Sequence, residues 1–247
     1  YEGDMLADTG LYFKKGEEII VGGQYEMPVL DENGKPILLV DENGKILFQD
    51  STPTLASRTG EEIVKDICML CKKLVDEAGY TMDDIAAIGM GCPGTVDNEN
   101  GVIAYSNNLP FEHFNMRDEI QKYINKPINL ENDANAAAYG EYIVNGNGAK
   151  DYIFITLGTG VGGGVIIDKK IYRGFNFAGG ELGHISLVID GEQCSCGKKG
   201  CWEAYASVTA LIRQTKAAME KNPDSLMHEI AEKEGKVSGR TAFDAAK

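Results

Sequence analysis

The stretch INLENDANAAAYGE, residues 128–141, joins two kinds of local structure without a linker. Its first residues predict a short strand, and the alanine-rich part from about Asp133 onward predicts a helix. The polar residues Glu131, Asn132 and Asp133 therefore lie where a strand ends and a helix begins, a place where α/β proteins expose functional groups. Asp133 could also serve as the N-cap of the helix, so both roles stay open at this point.

Strands and helices alternate on both sides of this stretch. Before it, Thr59 and Glu62 form a capping-box signature at the start of a helix, and IAAIGMG from Ile85 predicts a buried strand. After it, YIFITLG and GGGVIID predict a strand pair around a glycine turn, and long helices are predicted for the C-terminal part. This alternation predicts an α/β protein.

A polar interruption at residues 106–111 predicts a boundary between two lobes. We expect a smaller N-terminal α/β lobe over residues 1–107, of which residues 1–38 are atypical, and a larger C-terminal α/β lobe over residues 108–247. A cleft between two such lobes is a common place for a small-molecule site.

The composition of the 247 residues disfavours two classes of partner. Lys and Arg number 24 against 38 Asp and Glu, and the resulting formal charge of −14 would repel the phosphates of a nucleic acid. No stretch approaches the roughly 20 apolar residues of a membrane helix, and no export signal is evident. We therefore expect a cytoplasmic protein with neither a nucleic-acid nor a membrane partner.

Six cysteines in such a chain indicate thiols or metal ligands in preference to a disulfide framework. Cys68 and Cys71 are spaced like a redox pair, but they fall inside a predicted amphipathic helix. Buried thiols are the favoured interpretation of this pair.

The other cysteine cluster has the composition of a metal site. Cys194, Cys196 and Cys201 lie close together, and His184 is the nearest upstream histidine. Three thiolates and one imidazole predict a closed zinc site with a structural role, since no position is left open for water. A metal-free cysteine-rich turn is the alternative.

Two further polar features point to ligands. GTGVGGG, residues 158–164, could bring backbone amides close to a polyanion, with Thr159 adding a hydroxyl, but a glycine-rich β-hairpin explains it equally well. A zinc ion on His184 would also draw in Glu203, which lies just beyond the last cysteine. A cluster of Asn132, Asp133, Glu181, His184 and Glu203 would offer many acceptors and few apolar contacts, which suits sugar hydroxyls.

Taken together, these motifs resemble the ROK family of sugar kinases and sugar-responsive repressors, most closely its bacterial glucokinase branch. The resemblance covers roughly residues 39–247 and rests on GCPGTVD, SNNLP, ENDANAAAYGE, TLGTGVGGG, GGELGH and CSCGKKGCWE. It implies an actin-like ATPase (ribonuclease H-like) fold of two α/β lobes, with a hexose in the cleft, ATP and Mg²⁺ beside it, and a homodimer.

The resemblance also implies roles for individual residues. Asp133 would be the general base that accepts the proton of the sugar 6-hydroxyl. The implied sugar ligands are Asn107, Asn132, Asp133, Glu181, His184 and Glu203; the implied phosphate loop is Gly158, Thr159 and Gly160; the implied structural Zn²⁺ ligands are His184, Cys194, Cys196 and Cys201.

Two departures from the family pattern affect the nucleotide side. An Asp-x-Gly-Gly-Thr phosphate motif is expected before LVDENGKILFQD, where the chain has VLDENGKPIL, and the C-terminal end is expected to be incomplete. We therefore predict ATP-dependent phosphorylation of a hexose, glucose first, with a catalytically impaired sugar-binding zinc protein as the alternative. A DNA-binding repressor is disfavoured by the charge, and the choice among hexoses and between ATP and polyphosphate stays open.

Overall fold

The structure is a computed structural model that describes residues 9–13, 35–41, 44–106 and 109–247. Its strands are β1 (Thr9–Phe13), β2 (Lys35–Val40), β3 (Ile46–Thr52), β4 (Ile85–Cys92), β5 (Thr95–Asp97), β6 (Val102–Tyr105), β7 (Glu112–Asn115), β8 (Ile128–Asn132), β9 (Tyr152–Leu157), β10 (Val161–Ile167) and β11 (Lys170–Ile171). Its helices are α1 (Gly60–Glu77), α2 (Met116–Gln121), α3 (Asp133–Asn145), α4 (Glu203–Ala206), α5 (Val208–Lys221), α6 (Met227–Glu234) and α7 (Thr241–Ala245). Among the described residues, none of these helices combines the length and apolar composition that a membrane span requires.

The largest sheet has five strands in the order β3-β2-β1-β4-β8. β2 and β3 are antiparallel, β1 is parallel to β2 and antiparallel to β4, and β4 and β8 are parallel. The register of the last pair places Gly91 opposite Glu131 and Cys92 opposite Asn132. Because parallel strands end at the same edge of a sheet, the polar end of β8 lies beside the turn that follows β4.

The helix α1 packs against this sheet and supplies much of the core. Val64, Cys68, Cys71 and Val75 recur at helical spacing and are at most 1% exposed. The predicted capping box at the start of the helix is present. Burial raises the pKa of the Cys68 thiol to about 12 and also raises the pKa of the Cys71 thiol. The prediction of buried thiols at this pair is therefore confirmed.

Two smaller sheets complete the strand pairing. One has the order β5-β6-β7 and is antiparallel, and the other has the order β11-β10-β9. The predicted strand pair around a glycine turn is confirmed as β9 and β10. The C-terminal helices are shorter than predicted, because Pro223 follows the end of α5 and Gly235, with φ +72°, ends α6.

The described residues divide into two compact units, neither of which is one continuous segment. The first, here called the C-terminal unit, consists of Ile155–Gly163 and Glu181–Lys247. The second, here called the sheet unit, consists of the described residues up to Phe154 together with Gly164–Gly180. Residues 107 and 108 lie outside the described residues, so the lobes expected at 1–107 and 108–247 stay a prediction.

Candidate functional site

The predicted zinc ligands converge in the C-terminal unit. His184, Cys194, Cys196 and Cys201 each offer one ligand atom, and these atoms all lie within 4.8 Å of one another. The Sγ atoms of Cys196 and Cys201 are 3.7 Å apart, and Sγ of Cys194 is 3.6 Å from Nδ1 of His184. Cys194 and Cys201 are buried, whereas Cys196 is exposed.

The 3.7 Å and 3.6 Å separations match two edges of a metal tetrahedron. With zinc–sulfur bonds of about 2.3 Å and zinc–nitrogen bonds of about 2.0 Å, the sulfur–sulfur edge is about 3.8 Å and the sulfur–nitrogen edge about 3.5 Å. A disulfide needs Sγ atoms about 2.05 Å apart, so the 3.7 Å between Cys196 and Cys201 excludes that bond. The donor set fits zinc, and four protein ligands leave no coordination position for catalysis.

The ionisation of Cys196 and that of Cys201 depend on each other. Burial opposes ionisation of Cys196, but hydrogen bonds from the backbone of Lys198 and from the thiols of Cys194 and Cys201 outweigh it and lower the pKa of the Cys196 thiol. Burial and the neighbouring thiols Cys196 and Cys194 raise the pKa of the Cys201 thiol to about 11. A divalent cation inverts this balance, because it stabilises each thiolate directly. The cluster therefore has the chemistry of a cation site and would hold only part of its potential charge without one.

Glycines shape the loop that carries the ligands. Gly197 and Gly200 have φ values of +88° and +77°, in the left-handed region that favours glycine. A Cβ on Gly200 would also overlap the carbonyl oxygen of Val188. An antiparallel bridge between Ser186 and Cys201 closes the loop at its base.

The two ring nitrogens of His184 have different neighbours. Nδ1 faces the Cys194 thiol, and Nε2 is 4.0 Å from Oε2 of Glu181, the residue before the 3-10 turn Leu182–His184. Metal on Nδ1 would leave the proton on Nε2, pointing to the side of the ring where Glu181 lies. This geometry fits the two roles that the resemblance implies for His184, because one ring nitrogen faces the thiol cluster and the other is left for a sugar hydroxyl.

The carboxylate of Glu203, the first residue of α4, connects the zinc-ligand cluster to the glycine turn. Its Oε1 accepts a hydrogen bond from the Ser195 hydroxyl at 3.2 Å and lies 3.7 Å from Sγ of Cys194. Its Oε2 accepts a hydrogen bond from the backbone N–H of Val161 at 3.0 Å. The structure thus brings Glu203 and His184 to the same thiol, and the bond to Val161 is a contact that the sequence did not predict.

The glycine turn, residues 158–160, lies directly against this carboxylate. It connects β9 to β10, and a Cβ on Gly160 would overlap Oε2 of Glu203. The start of α5 anchors the turn, because the hydroxyl of Thr209 donates a hydrogen bond to the carbonyl of Thr159 at 2.8 Å. The run is therefore a hairpin turn held from two sides, an arrangement compatible with a role in phosphate binding.

The strand-to-helix junction of the sheet unit carries the remaining described site residues. The N-cap of α3 is Asn132, whose Oδ1 accepts a hydrogen bond from the N–H of Asn135 at 3.0 Å, while Nδ2 of Asn132 donates to the carbonyl of Gly94 at 3.0 Å. Asp133 is the first helical residue, and its Oδ1 accepts from the N–H of Ala134 at 2.9 Å. The alternative of Asp133 as the N-cap is therefore wrong, because Asn132 already fills that position.

Glu131 was not among the predicted site residues, yet it joins several groups at this junction. Its Oε1 accepts hydrogen bonds from the N–H of Asn132 at 3.0 Å and from Nδ2 of Asn135 at 3.3 Å. Its Oε2 accepts from Nε of Arg173 at 2.8 Å and from Nη2 of the same side chain. The two charged residues are 42 positions apart, so no local pattern marks the pair. The predicted sugar ligand Asn107 lies outside the described residues.

Comparison with known proteins identifies relatives for most of the chain. A family model described as "ROK family" matches residues 35–246. A glucokinase from Thermotoga maritima is 37% identical over 213 residues, which cover 85% of this chain and 65% of that protein. A glucokinase from Streptomyces coelicolor is 38% identical over 187 residues, 75% of this chain and 57% of that protein. The chain thus spans less than two thirds of the length of either relative.

Solved structures and a regulator are also similar. A ROK family glucokinase from Streptomyces griseus, in complex with glucose and AMPPNP, is similar with a TM-score of 0.64 and 38% sequence identity. The matched region covers 84% of this chain and 65% of the S. griseus chain. A ROK hexokinase from Thermus thermophilus has a TM-score of 0.61 at 35% identity, over 71% and 58% of the two chains. A xylose repressor from Bacillus subtilis is 34% identical over 188 residues, 74% of this chain and 48% of that protein.

Proposed function

The chain belongs to the ROK family, and we propose that it catalyses the ATP-dependent phosphorylation of the 6-hydroxyl of a hexose, with glucose as the first candidate substrate. Its fold class is the α/β, actin-like ATPase fold expected from the sequence. One observation carries the proposal: the Glu203 carboxylate contacts both the zinc-ligand cluster, at Cys194, and Val161, the residue that directly follows the glycine turn. The side chain of Glu203, a proposed sugar ligand, therefore also holds the chain directly after the proposed phosphate loop.

Asp133 is the proposed general base. It lies at the first position of the 13-residue helix α3, where the helix dipole favours the carboxylate form. Phosphoryl transfer passes through a loose transition state, so the base needs only to orient the hydroxyl and accept its proton late in the transfer. A carboxylate at this position is sufficient for that task.

The other roles follow the resemblance residue by residue. Glu181, His184 and Glu203 of the C-terminal unit, with Asn107 and Asn132, are proposed to bind sugar hydroxyls. His184, Cys194, Cys196 and Cys201 would hold a structural zinc ion, which fixes the orientation of the His184 ring and of the chain that leads into Glu203.

The turn formed by Gly158, Thr159 and Gly160 is proposed to approach the phosphates of ATP through its backbone amides. A bound Mg²⁺ would supply charge neutralisation on the phosphate oxygens. The S. griseus glucokinase of similar sequence was solved with AMPPNP, which supports a nucleotide as the phosphoryl donor. A homodimer remains part of the proposal by resemblance.

A second candidate function is sugar binding without turnover. The sequence favours it in one respect, since the Asp-x-Gly-Gly-Thr phosphate motif expected near residues 29–38 is not present there. Positioning supplies most of the rate in phosphoryl transfer, so losing one half of a phosphate cradle would reduce kcat by orders of magnitude. Sugar affinity would be retained in that case.

A paired assay separates the two functions. ADP release in a coupled assay is measured beside calorimetric titration with glucose, mannose, fructose and N-acetylmannosamine, and with polyphosphate as an alternative donor. Turnover with a hexose supports the kinase, whereas sugar binding with no ADP release supports the second function. Failure of all four sugars to bind refutes both.

A further inference from the structure

The ion pair between Glu131 and Arg173 lies at the junction that carries the proposed base. We propose that Arg173 is a positioning residue: through Glu131, it holds the end of β8 and the first turn of α3 in the geometry that Asp133 needs. The inference rests on the proposed kinase function and adds to it a residue that belongs to none of the site motifs and lies 42 positions from Glu131 in sequence.

The contacts of Glu131 connect Arg173 to the first turn of α3. The guanidinium donates to Oε2 through both Nε and Nη2, while Oε1 accepts from the N–H of Asn132 and from Nδ2 of Asn135. The side chain of Glu131 is 15% exposed, so this carboxylate depends on its protein partners. Movement of Arg173 would therefore be transmitted to Asn132, the residue directly before Asp133.

The backbone fixes the position of Arg173 itself. The residue before it, Tyr172, donates its N–H to the carbonyl of Val165 at 2.7 Å, and the N–H of Gly179 donates to the carbonyl of Arg173 at 2.8 Å. The second bond closes the loop of residues 174–178 at its base. Arg173 thus extends from a closed loop and acts as a fixed donor.

The arginine fork suits this role better than any other cation. Two N–H groups in one plane fix the carboxylate orientation, which a lysine ammonium on a flexible stem cannot do. The positive charge also neutralises Glu131, which is only two residues from Asp133. Without it, two carboxylates near one helix start would repel each other and disturb the local geometry.

The substitution Arg173→Met tests the inference by removing the charge and the fork while keeping an unbranched apolar side chain. We expect kcat to fall by about 10- to 100-fold, with the KM for hexose changing less than about threefold, because small displacements of a reacting group have effects of this size. Arg173→Lys should recover only part of the rate. Arg240→Met, which removes an exposed arginine paired with Asp244, is the matched control and should keep the full rate.

A double-mutant cycle distinguishes positioning from general destabilisation. Glu131→Gln should lower kcat as well, and the double variant with Arg173→Met should be little worse than either single variant, since the two residues act as one unit. Additive losses in kcat, or a lowered melting temperature with an unchanged kcat, overturn the proposal.

Hydrogen exchange tests the same inference without turnover. The amides of Asn132 and Asn135 should exchange at least about tenfold faster in Arg173→Met than in Arg240→Met. If the wild-type chain releases no ADP with any hexose, the proposed function fails, and the exchange rates alone decide the role of Arg173. Unchanged exchange at both amides overturns that role whether or not the chain is a kinase.

Discussion

Replacing Cys196 with serine should weaken sugar binding as well as metal binding. Cys196 offers one of the four potential ligand atoms and lies 3.7 Å from the thiol of Cys201. With three potential ligands left, a zinc ion would be held less tightly, and the loop that brings His184 and Glu203 together would lose the cross-link that the ion supplies. We therefore expect the change to act on a site that Cys196 itself does not contact.

The size of the effect follows from the hydrogen bonds that depend on the loop. A hydrogen bond between a charged group and a sugar hydroxyl contributes about 1.5–3 kcal/mol. Losing the geometry of one such bond, through Glu203 or His184, costs about 2 kcal/mol, or roughly 30-fold in Kd. Disturbing the sugar hydrogen bonds of both Glu203 and His184 would double that free-energy loss.

Calorimetry with glucose measures the affinity, and elemental analysis of the same sample measures bound zinc. Lys199→Ala is the control, because Lys199 is an exposed residue of the same loop and offers no ligand to the cluster. Thermal unfolding of both variants shows whether the rest of the chain stays folded. A zinc-free Cys196→Ser protein with the Kd of the wild type would refute the coupling between metal and sugar.

Three further outcomes are expected. Asp133→Asn should lower kcat by about 10²- to 10⁴-fold and leave hexose Kd within a few-fold, as judged by ADP release and calorimetry on one sample; equal activity would exclude Asp133 as the base. Gly200→Ala should lower the melting temperature more than Gly197→Ala. Both glycines have positive φ, but only at Gly200 would a Cβ overlap the carbonyl oxygen of Val188. A larger loss of melting temperature in Gly197→Ala would contradict the loop geometry. Hydrogen bonds from Asn100 lower the pKa of Asp97, so the ionised carboxylate stabilises the fold above its unfolded pKa of about 3.9 and this contribution disappears as pH falls below that value. Asp97→Asn should therefore flatten the acid side of a stability curve measured by urea unfolding, and a curve identical to the wild type would show that the carboxylate contributes nothing.

Local patterns predicted the elements that depend on local chemistry. The capping box at Thr59 and Glu62 lies within one helical turn, and the structure contains it. The order of strand and helix around Asp133 could also be predicted, because a buried strand and an alanine-rich helix differ in the periodicity of their apolar residues. The cysteine spacing predicted the ligand cluster, since metal sites require a limited set of donors at close range.

Contacts between residues that are distant in sequence could not be predicted from such local patterns. Glu131 and Arg173 are 42 residues apart, and so are Val161 and Glu203. Nothing in the neighbourhood of either residue of a pair indicates which partner the fold will supply. The wrong assignment of the N-cap to Asp133 has a different cause. Asn and Asp are both good N-caps, and the length of the preceding strand decides which of the two occupies that position.

The way the chain divides into units limits how it can be shortened. Ile155–Gly163 belongs with Glu181–Lys247, although Gly164–Gly180, which belongs to the sheet unit, lies between them in sequence. A truncated protein that begins at Glu181 would keep every cysteine of the cluster but would lack Val161, whose N–H holds the Glu203 carboxylate. A fragment designed to keep the Glu203 carboxylate in place beside the cluster therefore has to retain the β9–β10 hairpin, and a single proteolytic cut cannot release either unit intact.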